Sequence, residues 1–171
     1  MMLLEVQPPG GFSGTFRVPS SKPETQRAIL TGALADGRSR VVNDLRCRET
    51  ETMKDACRAL GAVITESDGE LRIAGVGNAP RYQKRVIDAA GSALVFRTMA
   101  AVSSVQPSAV VITGDDTLRR RVMSPLFDAL RALGADIESI CEPGTAPIVN
   151  WGGGLRGGTC RLPGNVSSQF I

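Results

Sequence analysis

The ten residues Asp55-Ala56-Cys57-Arg58-Ala59-Leu60-Gly61-Ala62-Val63-Ile64 return as Asp128-Ala129-Leu130-Arg131-Ala132-Leu133-Gly134-Ala135-Asp136-Ile137, identical at eight positions and 73 residues further on. Self-similarity at a fixed spacing marks a repeated supersecondary unit. Such units cannot bury their apolar faces alone, so the chain must stack like on like. Each copy reads as an amphipathic helix stopped by glycine. Met53, Ala56, Cys57 and Leu60 make an i, i+3, i+4, i+7 stripe, and Leu126, Ala129, Leu130 and Leu133 repeat it. Gly61 and Gly134 end the two helices, and glycine is a common helix stop.

The flanks give the rest of the unit. Residues 22–35 read as a helix ended by Asp36-Gly37, and residues 39–45 as a strand. After the first copy, Ala62-Val63-Ile64 and Leu71-Arg72-Ile73 flank Asp68-Gly69, a two-residue hairpin signal. The second round brings a helix through Arg97, a strand at 109–112 and a helix capped at Ser124-Pro125. Leu162-Pro163-Gly164-Asn165-Val166-Ser167-Ser168 then stands where Val18-Pro19-Ser20-Ser21 stood. The chain therefore reads as an α/β (α+β) protein of repeated βαβαββ units, two of them and the start of a third. Repeat one covers about 19–86, repeat two about 87–161 and the opening of repeat three 162–171. Residues 1–18 read as opening strands around the turn Pro8-Pro9-Gly10-Gly11. Two and a fraction units leave core surface uncovered, so the expectation is the front portion of a longer chain.

The stretch Val18-Pro19-Ser20-Ser21-Lys22-Pro23-Glu24-Thr25-Gln26-Arg27-Ala28 carries the chemistry. Ser21 and Glu24 fit a capping box, and Pro23 is tolerated in a first turn. A helix N-terminus offers partial positive charge and free amides. Lys22 and Arg27 add full charges, which suits a multiply charged anion. Composition narrows the alternatives. The chain has no histidine, so no Ser-His-Asp triad and no histidine metal ligand. Its net charge of +3, with one tyrosine and one tryptophan, does not argue for nucleic acid. Cys47, Cys57, Cys141 and Cys160 form no C-x-x-C pair, which speaks against zinc. Cys57 falls on a helix stripe and reads as a small buried hydrophobe. No run of apolar residues reaches membrane-spanning length, and the setting expected is reducing and cytoplasmic.

Four segments together resemble the 5-enolpyruvylshikimate-3-phosphate synthase family. Pro19-Ser20-Ser21-Lys22 with Arg27-Ala28 is similar to its P-G-S-K-S-x-S-N-R-A. The helix from Met53 to Leu60-Gly61-Ala62 follows. Thr113-Gly114-Asp115-Asp116 through Arg121, then Pro125-Leu126 and Ala129-Leu130, is similar to T-G-D-x-x-x-x-x-R-P-x-x-x-L-x-x-A-L. Leu155-Arg156-Gly157-Gly158 and Pro163-Gly164-Asn165-Val166-Ser167-Ser168-Gln169-Phe170 resemble a loop ending S-S-Q-[FY]. The resemblance covers nearly the whole chain.

That resemblance implies two domains of three βαβαββ units each, with helix N-termini directed at the cleft between them. Residues 1–18 would pair with the second, carboxy-terminal domain. It implies transfer of the enolpyruvyl group of phosphoenolpyruvate to the 5-hydroxyl of shikimate 3-phosphate, in the shikimate pathway of aromatic amino acid biosynthesis, with no cofactor and no metal. Lys22 would stand near both substrates as the catalytic cation. Arg27 would hold shikimate 3-phosphate, Arg121 phosphoenolpyruvate, and Arg97 is a further ligand of phosphoenolpyruvate. Ser167 and Ser168 would bind the 3-phosphate, and Gln169 would contact substrate in the closed cleft. The family's acid-base carboxylates lie on its later domain, so these 171 residues alone are expected to have no turnover.

There are departures. Pro23 replaces a serine, removing a hydroxyl and an N–H. Gln26 replaces asparagine, and Val122 replaces a proline. The segment Ala90-Gly91-Ser92-Ala93-Leu94-Val95-Phe96-Arg97 alters a phosphate-cradling glycine turn. A divergent enolpyruvyl transferase with another hydroxy-acid acceptor, and a non-catalytic anion-binding module, stay open on these residues. A nucleotide-sugar enzyme fits less well, since it wants Lys-Asn at the first motif and a reactive loop cysteine.

Overall fold

The computed structural model describes residues 3–5, 7, 10, 11, 13–78, 82–165 and 167–170, with Ser168 followed through its backbone only. Helix α1 (Lys22–Leu34) starts where the cap predicts. The Ser21 Oγ accepts from the Glu24 amide at 3.4 Å, and Pro23 sits in the first turn, where no amide has a helical partner to lose. Strand β1 (Arg38–Val42) leads to α2 (Arg48–Ala59), then to β2 (Val63–Ser67) and β3 (Glu70–Ala74). The β2–β3 turn has positive φ at both Asp68 and Gly69, 54° and 75°, as a type I′ hairpin turn requires. The strands form one antiparallel sheet in the order β1-β3-β2.

The second unit begins with β4 (Val86–Asp88), parallel to β5 (Val110–Thr113) and joined to it by α3 (Ala93–Ser104). A short α4 (Asp116–Arg119) and α5 (Ser124–Ala132) lead to β6 (Asp136–Ser139) and β7 (Ile148–Gly152). The sheet order is β4-β5-β7-β6. Its last three strands repeat the order and antiparallel sense of β1-β3-β2. The repeat is therefore structural as well as textual.

One strand of the expected pattern is missing. Among the described residues the first sheet has no counterpart of β4, and those between 3 and 20 form no strand. The strand-turn-strand read at 3–18 is expected to pair with a second domain, and Pro8, Pro9 and Phe12 of that reading lie outside the described residues. The physical reason is that a strand persists only where a neighbour satisfies its N–H and C=O groups. Phe16 and Val18 are instead 73% and 67% exposed.

The helices pack on one another and on one face of each sheet. Ile29, Met53, Leu60, Leu71 and Ile73 of the first unit join Phe96, Met99, Ile112, Phe127 and Ile148 of the second in one continuous core. Cys57 belongs to it, as its place on the stripe suggests, and burial pushes its thiol up to about 12. Buried Asn150 fastens β7 to α3, donating to Ala100 O at 2.9 Å and Ser103 Oγ at 2.8 Å. Lys54 is buried between Glu51 and Glu66, whose hydrogen bonds outweigh the burial cost and hold its ammonium above the ordinary value.

Candidate active site

The N-termini of α1, α2 and α3 meet at a cleft of about 360 Å³. From α1 come Lys22, Pro23 and Gln26, and from the first turn of α2 comes Glu49. Residues 91–94 open α3, and Arg97 follows one turn on. Arg121, just after α4, and Gln169, in the 3-10 turn Ser168–Phe170, complete the wall. Helix N-termini favour anions through unpaired amides and the macrodipole. Three cations stand here against one carboxylate.

That carboxylate is already engaged. Lys22 Nζ donates to Glu49 Oε1 at 2.9 Å. The bond holds the Lys22 ammonium above its ordinary value and, with the Glu49 backbone and the Cys47 side chain, brings the Glu49 carboxyl down to about 2. Lys22 is thus a charged ammonium, paired with Glu49, at the mouth of α1.

Arg97 is gripped on every side. Its Nη1 donates to Gln169 Oε1 at 2.7 Å and Ser167 Oγ at 3.1 Å, and its guanidinium lies 4.4 Å from the centre of the Phe170 ring. Burial, then the Arg121 charge, pulls its pKa below the ordinary value. Two guanidinium groups facing one cleft, close enough for one charge to depress the other, make a place that gains from an anion.

The arginine register at 119–121 is decided by packing. A Cβ on Gly114 would lie 2.6 Å from Ala90 O, and the next amide, Asp115, donates to that same carbonyl at 2.9 Å. This close approach seats α4 beside the start of α3. Arg119 then turns to Thr113, donating to its Oγ1 at 3.3 Å, and Arg121 reaches the cleft.

Of the site residues expected from sequence, Lys22, Arg97, Arg121 and Gln169 share this cleft, and Ser167 adjoins it through Arg97. Arg27 does not line it. Arg27 is exposed one position round α1 and donates to Pro23 O at 3.4 Å. The Ser168 side chain lies outside the described residues. Pro23 stands on the wall, and Ser92 caps α3 by accepting from the Val95 amide at 3.4 Å. Ala93 and Leu94 of the altered glycine segment therefore fill the first turn of α3.

Sequence reasoning missed Glu49, Gln26 and Ser92. Gln26 is 2% exposed, and its Nε2 donates to Glu49 O and to Ser92 Oγ, each at 3.0 Å. The only signal available was Gln26 at the family's asparagine.

The family model for EPSP synthase (3-phosphoshikimate 1-carboxyvinyltransferase) matches residues 6–171. This chain belongs to the EPSP synthase family. It is 39% identical over 170 residues to the 3-phosphoshikimate 1-carboxyvinyltransferase of Methanothermobacter thermautotrophicus, covering 99% of this chain and 40% of that protein. It is 42% identical over 160 residues to the enzyme of the same name from Methanothrix thermoacetophila, covering 94% and 37%. The EPSP synthase of Acinetobacter baumannii superposes with a TM-score of 0.83 at 32% identity, covering 92% of this chain and 36% of that structure. The chain thus spans about 40% of the length of the curated relatives it matches. The fold of this family accounts for the repeated units described above. Among the described residues no helix is long and apolar enough to cross a membrane.

Proposed function

We propose that the protein carrying this chain transfers the enolpyruvyl group of phosphoenolpyruvate to the 5-hydroxyl of shikimate 3-phosphate. The observation that carries this reading is the convergence of Lys22, Arg97 and Arg121 on one cleft ringed by three helix N-termini. Both substrates are polyanions, and guanidinium forks match carboxylate and phosphate. In the reaction the 5-hydroxyl oxygen bonds to C2 of phosphoenolpyruvate, the bond from C2 to the phosphate oxygen breaks, and the hydroxyl proton is lost as phosphate leaves.

Lys22 stabilises charge on phosphoenolpyruvate where it adjoins the acceptor. Arg121 and Arg97 take its carboxylate and phosphate. Ser167, Ser168 and Arg27 hold shikimate 3-phosphate, and Gln169 contacts substrate between them. Arg27 and Ser168 rest on the family motif alone. Glu49 is committed to Lys22, so the acid-base groups come from the rest of the enzyme, the carboxy-terminal domain with which this half closes. The exposed free thiols of Cys141 and Cys160 suit a reducing cytoplasm.

Phosphate release tests the reading. The full-length protein should release phosphate only when both substrates are present, and the 171-residue chain alone should release none. Turnover by the isolated chain would contradict the division of labour. A full-length protein that consumes phosphoenolpyruvate with a different hydroxy acid and not with shikimate 3-phosphate would reassign the acceptor.

A further inference from the structure

The caps put the helices of the two units in register. Ser21 caps α1 and Ser92 caps α3, each accepting from the amide three residues on, Glu24 and Val95. Five residues after each cap stand Gln26 and Arg97. The caps thus make Gln26, and not its neighbour Arg27, the counterpart of Arg97. Both side chains then do the same thing. Gln26 Nε2 donates at 3.0 Å to Ser92 Oγ, the cap of the next unit. Arg97 Nη1 donates at 3.1 Å to Ser167 Oγ, which opens the following segment and itself accepts from the Gln169 amide at 3.2 Å. In each case the fifth residue of one unit is fastened to the serine that starts the next.

We propose that Gln26 is a positioning residue of the cleft, the first unit's copy of the joint that Arg97 makes in the second. Its second hydrogen bond, to Glu49 O at 3.0 Å, locates the residue that grips Lys22. One buried amide therefore sets α2 and α3 against α1, and with them the distance from Lys22 to Arg97. Its significance for catalysis rests on the function proposed above, but its effect on Lys22 can be read without any substrate.

The charged and titratable groups facing Lys22 are Glu49 and Cys47 at the opening of α2, with Arg97 and Arg121 across the cleft. The chain has three lysines, Lys22, Lys54 and Lys84. Titration of ¹⁵N-labelled lysine ammonium groups by NMR in the full-length protein, with the Lys22 signal assigned by its loss in Lys22→Arg and the Lys54 signal by its loss in Lys54→Arg, reads Lys22, with Lys54 as an internal control in its own Glu51–Glu66 clamp. Glu49→Gln should lower the Lys22 titration. Gln26→Met, which keeps the volume and removes both donors, should lower it towards the Glu49→Gln value and leave Lys54 unmoved. Gln26→Asn, which keeps the amide without its reach, should do the same if the methionine variant does not fold. A Lys22 titration unchanged in the folded variant would overturn the proposal, as would an equal displacement of Lys54, which marks general loosening. Titration of phosphoenolpyruvate separates the two readings. Weakening by Gln26→Met on the order of tenfold supports both. A wild-type protein that binds no phosphoenolpyruvate, with the Lys22 displacement still present, would sink the functional reading and leave the joint standing.

Discussion

The Glu49 carboxylate lies 2.9 Å from the Lys22 ammonium, across the gap between the first turns of α1 and α2. The pair joins two helix N-termini that both point at the cleft, and it biases the orientation of Lys22 before any anion arrives. Anion binding then has less side-chain freedom to remove.

The pair has a pH signature. Glu49 is held at about 2, against an ordinary 4.5, so its contribution to stability is whole above pH 4.5 and is lost as pH falls towards 2. Lys22 is raised, so its share is whole below 10.5 and is lost as pH rises through the raised value. With side chains 46% and 35% exposed, the pair contributes no more than about 1 kcal/mol. Glu49→Gln should lower the melting temperature by at most about 2–4 °C at pH 7, and by progressively less as pH falls from 4.5 towards 2. A difference that persists undiminished at low pH would contradict this.

Lys22→Ala should separate rate from stability. The Lys22 side chain is about half exposed, so the melting temperature should stay within about 2 °C beyond the loss of the Glu49 pair. The rate of the full-length enzyme should fall by about 100-fold or more, as when a preorganised charge is removed from a transition state. A large fall in melting temperature with unchanged kinetics would remove Lys22 from the site.

Arg97→Lys should release the 167–170 segment. Lysine keeps the charge but loses the planar guanidinium that lies over Phe170 while its Nη1 donates to both Ser167 and Gln169. Hydrogen bonds to a charged group contribute about 1.5–3 kcal/mol. Amide exchange at Gln169 and Phe170 should quicken by one to two orders of magnitude, roughly what that energy implies. Exchange in α1 and α2 should not change.

Thiol reactivity should rank by burial. Cys141 and Cys160 are exposed and Cys57 lies in the core, its thiol pushed up to about 12. A disulfide reagent should label Cys141 and Cys160 first and Cys57 only on unfolding. Rapid native labelling of Cys57 would contradict the packing of α2.

Much of this was legible in the sequence, and the reasons are local. The stripe through Met53 and Leu60, the cap at Ser21 and the Asp68-Gly69 turn each depend on residues a few positions apart, and each forms where read. Gln26, Ser92 and Glu49 were not legible because their work is done at long range. The Gln26–Ser92 bond spans 66 residues, and no local rule distinguishes a glutamine that reaches a distant serine from one that faces water. The described residues between 3 and 18 have strand propensity but no hydrogen-bonding neighbour here, and propensity without a partner does not make a strand. Arg121 among three arginines was decided by the approach of Gly114 to Ala90, again a contact between distant segments.

The most direct test of the central claim is calorimetric titration of shikimate 3-phosphate into the full-length protein, with and without phosphoenolpyruvate, beside Lys22→Ala. The account predicts saturable binding of the phosphorylated acid, tighter with phosphoenolpyruvate present and weakened by the substitution. A folded protein that takes up neither anion, or binds them equally well without Lys22, would contradict it.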